Sequence, residues 1–158
     1  MSRPLTEGEK RLGRSVFGEA IDYDRVRISD RRWGWAAICF GSHITFPPAA
    51  PAPRDFAWAG PRLQAWLIHE LTHVWQFQTR PVWTVLSWFR VLVTGGYGRG
   101  SPGYRYAAPL KAWSGYNLEQ QASMIEHAFL LRETGTCPDA AAGLAELCAA
   151  APFSALRP

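Results

Sequence analysis

Two histidines four residues apart, with a glutamate directly after the first, are the residues of this chain best spaced for chemistry: His69-Glu70-Leu71-Thr72-His73. On a helix, residues four apart differ by about 40° around the axis, so both imidazoles leave one face a turn apart and can hold one metal ion. Glu70 points beside that ion rather than at it, where a general base for a metal-bound water must stand. The plainer alternative is a buried helix with two hydrogen-bonded core histidines.

The flanks decide in favour of a helix. Leu63, Trp66, Leu67, Val74 and Phe77 are apolar, no Pro or Gly interrupts residues 62–78, and Pro61 suits a first helical turn. A catalytic zinc site takes three protein ligands and keeps one position open. A third histidine six residues past His73 is ruled out, because Thr79 stands there and Gln76 replaces the glycine that pattern needs. A glutamate on a later helix remains. Glu119 opens such a helix, with Ala122 close behind it to let two helices approach. Glu126 lies near the same face but about 10 Å further along the axis, so both cannot bind one ion. The spacing therefore assigns Zn2+ to His69, His73 and Glu119, with Glu70 as base and Glu126 as a supporting or ion-pairing residue. A donor for the developing oxyanion is expected from Tyr106 or Tyr104, with His43 and His127 as weaker choices.

The rest of the chain must position these groups. It has 158 residues, 47% of them hydrophobic and 19% charged, which fits one globular domain spanning 1–158. Thr6-Glu7-Gly8-Glu9 reads as a capping box opening a helix to Phe17, ended by Gly18. Residues 21–28, 35–40 and 43–46 read as three strands, a small N-terminal antiparallel sheet ahead of the motif helix. The strand His43–Phe46 could bind an extended peptide by edge pairing. Arg80-Pro81 breaks the motif helix, and 82–94 forms the next. Residues 95–103 hold five glycines and read as a loop or a lid over the site, so 81–106 comprises a second helix and a Gly-rich loop. Asn117 caps a helix over 118–131, and 133–158 is a C-terminal tail with an Ala-rich helix over 139–150. The fold class is α+β, an N-terminal sheet followed by the active-site helix and further helices.

Other function classes recede. A charge of +4 without a basic helix face gives no clear nucleic-acid partner. Three cysteines at 39, 137 and 148 suit reduced thiols. The polar residues 1–10 carry no signal peptide, which implies a cytoplasmic protein. The apolar run 82–94 is too short to span a bilayer; it suits a core helix or an interfacial segment in contact with a membrane.

His69-Glu-Leu-Thr-His73-Val-Trp-Gln, Tyr104-Arg-Tyr106, Tyr116-Asn-Leu-Glu119-Gln-Gln-Ala122 and the N-terminal Phe17-Gly-Glu-Ala-Ile21-Asp-Tyr-Asp-Arg-Val-Arg-Ile28 together resemble small bacterial zincin-like domains, including Vgr-related proteins associated with Rhs/Vgr elements of type VI secretion. The resemblance covers most of residues 5–132. It implies a metallopeptidase-type, zincin-like fold, zinc held by His69, His73 and Glu119, Glu70 as base, a peptide or protein substrate, a Vgr/Rhs-type secretion partner and export by a dedicated secretion system. One departure stands out. Peptidases with a helix-borne Glu ligand often carry an Asp four residues later, bonded to a ligand histidine; here that residue is Ser123. The support must come from elsewhere, with Glu126, His127 and Asn117 as candidates. A non-catalytic zinc-binding accessory module of a secretion or toxin system is the competing expectation.

Overall fold

The computed structural model describes residues 2–94 and 101–156. Five helices and a four-stranded sheet are built among them: β1 Ser2–Pro4, α1 Glu7–Phe17, β2 Arg27–Asp30, β3 Ile38–Phe40, β4 His43–Phe46, α2 Pro61–Thr79, α3 Pro81–Thr94, α4 Leu118–Thr134 and α5 Leu144–Ala150. The chain is a mixed α+β domain.

The sheet is mixed, not antiparallel as its short strands suggest. Its order is β1-β2-β4-β3, with β4 parallel to β2 and antiparallel to β3. Gly41, at φ 63°, lets β3 turn straight into β4. That hairpin then inserts its second strand beside β2, in register Ile28 to Ile44, so that both isoleucines bury on one face. Strand β4 is therefore interior, and the edges available for strand pairing belong to β1 and β3 instead. The strand expected over 21–28 divides into a 3₁₀ turn at Tyr23–Arg25 and β2, because Tyr23 turns inward to bond the Gly18 carbonyl at 2.8 Å. Only Ile38–Phe40 of the 35–40 run is strand. Strand β1, pairing with β2, adds an edge that the polar N-terminus did not announce.

The helices follow their caps. Thr6 and Glu9 close the capping box of α1, and Gly18 ends it at φ 57°. Pro61 opens α2. Asn117 and Gln120 form the capping box of α4, and Gly135 ends it in the left-handed region. The Ala-rich tail helix begins at Leu144 rather than 139, since a turn at 138–139 and a bend at 141–142 precede it. Helices α2 and α4 pack together over a core that includes Ala65, Leu67, Ile68, Leu71, Ala122 and Ile125. Of the expected Gly-rich lid, residues 95–100 lie outside the described residues; Ser101–Tyr104 form a turn.

One buried carboxylate ties the N-terminal half together. Glu9 is fully buried and takes two 2.8 Å bonds from the Arg3 guanidinium, with further bonds from Thr6 N and Phe56 N. Strand β1, helix α1 and the 3₁₀ turn Phe56–Trp58 meet at this group.

Candidate metal centre

His69, Glu70 and His73 are buried in the middle of α2, and Glu119 is buried in the first turn of α4. The close packing of these helices sets Glu119 Oε2 3.3 Å from His69 Nε2 and 3.3 Å from His73 Nε2. His69, His73 and Glu119 offer donor atoms that all lie within 4.8 Å of one another and could hold a metal ion.

The hydrogen bonds behind these residues fix which nitrogen faces inward. Glu126 Oε2 lies 2.9 Å from His69 Nδ1, and a carboxylate only accepts, so Nδ1 carries the proton. His73 Nδ1 lies 2.9 Å from Gln76 Oε1. That amide cannot be turned around. Its Nε2 donates to the Leu118 carbonyl and to Gln121 Oε1, while Gln121 Nε2 donates to the carbonyls of Trp113 and Tyr116. Both histidines therefore present Nε2 to the centre, as ligand histidines do when the outer nitrogen is held.

When the imidazoles are neutral, their two Nε2 lone pairs face one carboxylate oxygen, an arrangement that a cation between them balances. Four ligands set tetrahedrally at about 2.0–2.1 Å from an ion lie about 3.3–3.4 Å apart, so the donor set and its spacing fit such an ion. A proton is the competing occupant. Burial lowers the affinity of His69 for a proton, but the Glu119 and Glu126 carboxylates outweigh it and raise its pKa well above the ordinary value. His73 shifts up in the same way, burial being overcome by Glu119. Burial would raise the Glu119 pKa, but His73 and His69 pull it well below the usual carboxylate range. Glu70 differs: burial raises its pKa, the histidines offsetting only part of this. Its carboxyl receives no hydrogen bond from a described residue, which leaves it able to take up a proton beside the three donors.

Tyr104, Tyr106, Glu126 and His127 lie around a cavity of about 630 Å³, lined also by Arg62 and Ser123 among others. Tyr104 stacks on His69 with ring centroids 6.2 Å apart. The Tyr106 hydroxyl lies 2.7 Å from His127 Nδ1. Tyr106 thus shares the cavity but is engaged with His127, while Tyr104 is the tyrosine against a cluster histidine. His43 is remote from the cluster in its bonding, paired to Ser29 Oγ at 2.8 Å. Asn117 serves as the cap of α4. Ser123 makes no bond to the histidines; Glu126, three residues further on, supplies the carboxylate for His69. Gln76 is the partner that motif reading passed over. Its signal was present, since residues 73 and 76 are three apart on one helix and so adjacent.

The site defines a mixed α+β domain with a buried His-His-Glu donor set between two helices. No protein-family model matches the chain. It is homologous to the type VI secretion system spike protein VgrG2b of Pseudomonas aeruginosa, at 33% identity over 139 residues, covering 81% of this chain. The chain spans only 13% of that protein's length. The structure is similar to the effector domain of Pseudomonas aeruginosa VgrG2b, with a TM-score of 0.68 and 28% identity, covering 93% of this chain and 80% of that one. This homology links the chain to the Vgr-related proteins of type VI secretion.

Proposed function

We propose that this chain is a zincin-like, zinc-dependent peptidase of effector type, carried by a type VI secretion system and acting on peptide or protein substrates. The observation that carries the reading is a buried Glu70 that takes no hydrogen bond from a described residue, beside Glu119 and two histidines whose inward nitrogens are fixed by Glu126 and Gln76. Homology to an effector domain supports the export and the Vgr partner.

His69, His73 and Glu119 would hold the ion. Zinc in such a site supplies Lewis acidity and lowers the pKa of a bound water to about 7. Glu70 accepts the proton given up by the attacking water and returns it to the leaving amine; its raised pKa suits both tasks. Glu126 and Gln76 hold the two imidazoles in orientation and tautomer. Tyr104 and Tyr106 line the adjoining cavity, from which a hydroxyl can approach the substrate oxyanion.

Glu70→Gln is expected to keep its metal and lose cleavage by at least about a hundredfold, as the loss of a general base costs. Unchanged turnover of a peptide library by that variant overturns the mechanism. A second reading is a metal-binding effector or accessory module without turnover. It is favoured by the homology, which lies with a secretion spike protein. It predicts no cleavage by the wild-type chain and unimpaired partner binding by Glu70→Gln.

A further inference from the structure

Helix α3 is built inside out. Its buried positions are Thr84, Ser87 and Val91. Val82, Leu86, Phe89 and Val93 are 73%, 64%, 55% and 80% exposed. At 100° per residue those four lie within an arc of about 60°, opposite the buried positions. The small polar residues inside have defined partners: Ser87 Oγ accepts a 3.1 Å bond from Leu118 N, and Thr84 Oγ1 donates to the Arg80 carbonyl. The helix thus anchors the start of α4 through a polar contact and turns its apolar residues outward. Single exposed apolar residues are ordinary, but a full stripe on one helix marks an interaction surface.

Charge selects the occupant. From Leu71 to Leu118 the sequence has no Asp or Glu, while Arg80, Arg90, Arg99, Arg105 and Lys111 are cationic. Beside the stripe is a groove of about 460 Å³ whose lining includes Trp83, Arg90, Thr94, Asn117 and Gln120 and contains no acidic residue. Arg90 forms no ion pair with a described residue. A second copy of the chain docked on this face would set Arg90 near Arg90 with no carboxylate from α3 to separate them. A surface of lipid phosphates matches both Arg90 and the apolar stripe. No described helix is long and apolar enough to cross a membrane. The 14 residues of α3 extend about 21 Å, against a hydrocarbon core of about 30 Å, which suits a helix lying in the plane of the interface.

We propose that α3 is an interfacial membrane-binding helix, seating Val82, Leu86, Phe89 and Val93 in an anionic bilayer while Arg90 takes a lipid phosphate at its border. This binding does not depend on the metal centre or on peptidase activity. Flotation of the full chain with vesicles of phosphatidylcholine, and of phosphatidylcholine mixed equally with phosphatidylglycerol, tests it. The chain is expected to float with the anionic vesicles, less so at high salt. The double substitution Leu86→Ser and Phe89→Ser, at exposed positions, is expected to weaken binding by at least about tenfold with an unchanged melting curve. Arg90→Gln is expected to weaken only the anionic component. Absence of flotation with either vesicle overturns the proposal. Wild-type flotation by the double variant does so too, as does a wild-type dimer that the double substitution turns into a monomer, which assigns the stripe to a second copy.

Discussion

Two buried carboxylates in this molecule have opposite surroundings. Glu9 is met by a bidentate guanidinium from Arg3 and by the N–H groups of Thr6 and Phe56, so its charge is balanced from within the chain. Glu119 is met by two imidazole nitrogens whose outer sides are already fixed, so either a proton or a metal ion can stand between them. A satisfied carboxylate holds elements together. Donors gathered at one point and kept rigid by their surroundings are what a candidate binding site requires. Both lie near helix starts, so burial and position alone do not separate structure from function; the partners do.

The sharpest break in that contrast comes from the ligands themselves. His69→Ala or Glu119→Ala is expected to lower zinc affinity by more than about a hundredfold, exceeding the cost of losing a supporting residue. Competition with a chromophoric chelator measures it. Glu9→Ala should do the reverse. Zinc affinity of the folded protein is expected to stay within about threefold, while stability falls by about 3 kcal/mol through the broken ion pair and the two stranded N–H groups. For a chain of this size that is roughly 6–12 °C in melting temperature.

Smaller effects sharpen the picture. Glu126→Ala and Gln76→Ala leave the three ligands in place but free one imidazole each, and are expected to cost about 10–100-fold in metal affinity. The pH dependence of the metal-free chain has a defined sign. The His69 and His73 pKa values are raised in the folded state, so the stability these groups contribute is fully present below their unfolded values near 6.5 and is lost as pH rises through the folded values. The stabilisation gained on adding zinc is therefore expected to grow from acid to alkaline pH. Melting curves with and without zinc check this, and a gain that shrinks as pH rises contradicts it. The smallest expected effect is that of Tyr106→Phe, which removes the bond to His127 and should leave zinc affinity unchanged while altering turnover.

The legible parts of the molecule were those written in local sequence. The capping boxes at Thr6–Glu9 and Asn117–Gln120, the Pro61 start and the run from His69 to His73 each lie within a few residues of what they specify. Glu126, read from the spacing as a supporting or ion-pairing residue, lies 2.9 Å from His69 Nδ1, seven residues along α4 from Glu119. The sheet was not legible in the same way. Nothing near Ile44 announces that its parallel partner is Ile28, since that pairing depends on a hairpin inserting a strand between two others. The Gln76–Gln121 amide pair is also non-local; it joins α2 to α4 and becomes visible only when the helices pack.

Metal content of the purified chain, measured by mass spectrometry beside His73→Ala, tests the central contrast most directly. About one zinc per wild-type chain and a large loss in the variant are expected, with both proteins folded. A folded wild-type chain that takes up no zinc on reconstitution would show that the Glu119 cluster, like that of Glu9, is closed by the chain's own protons.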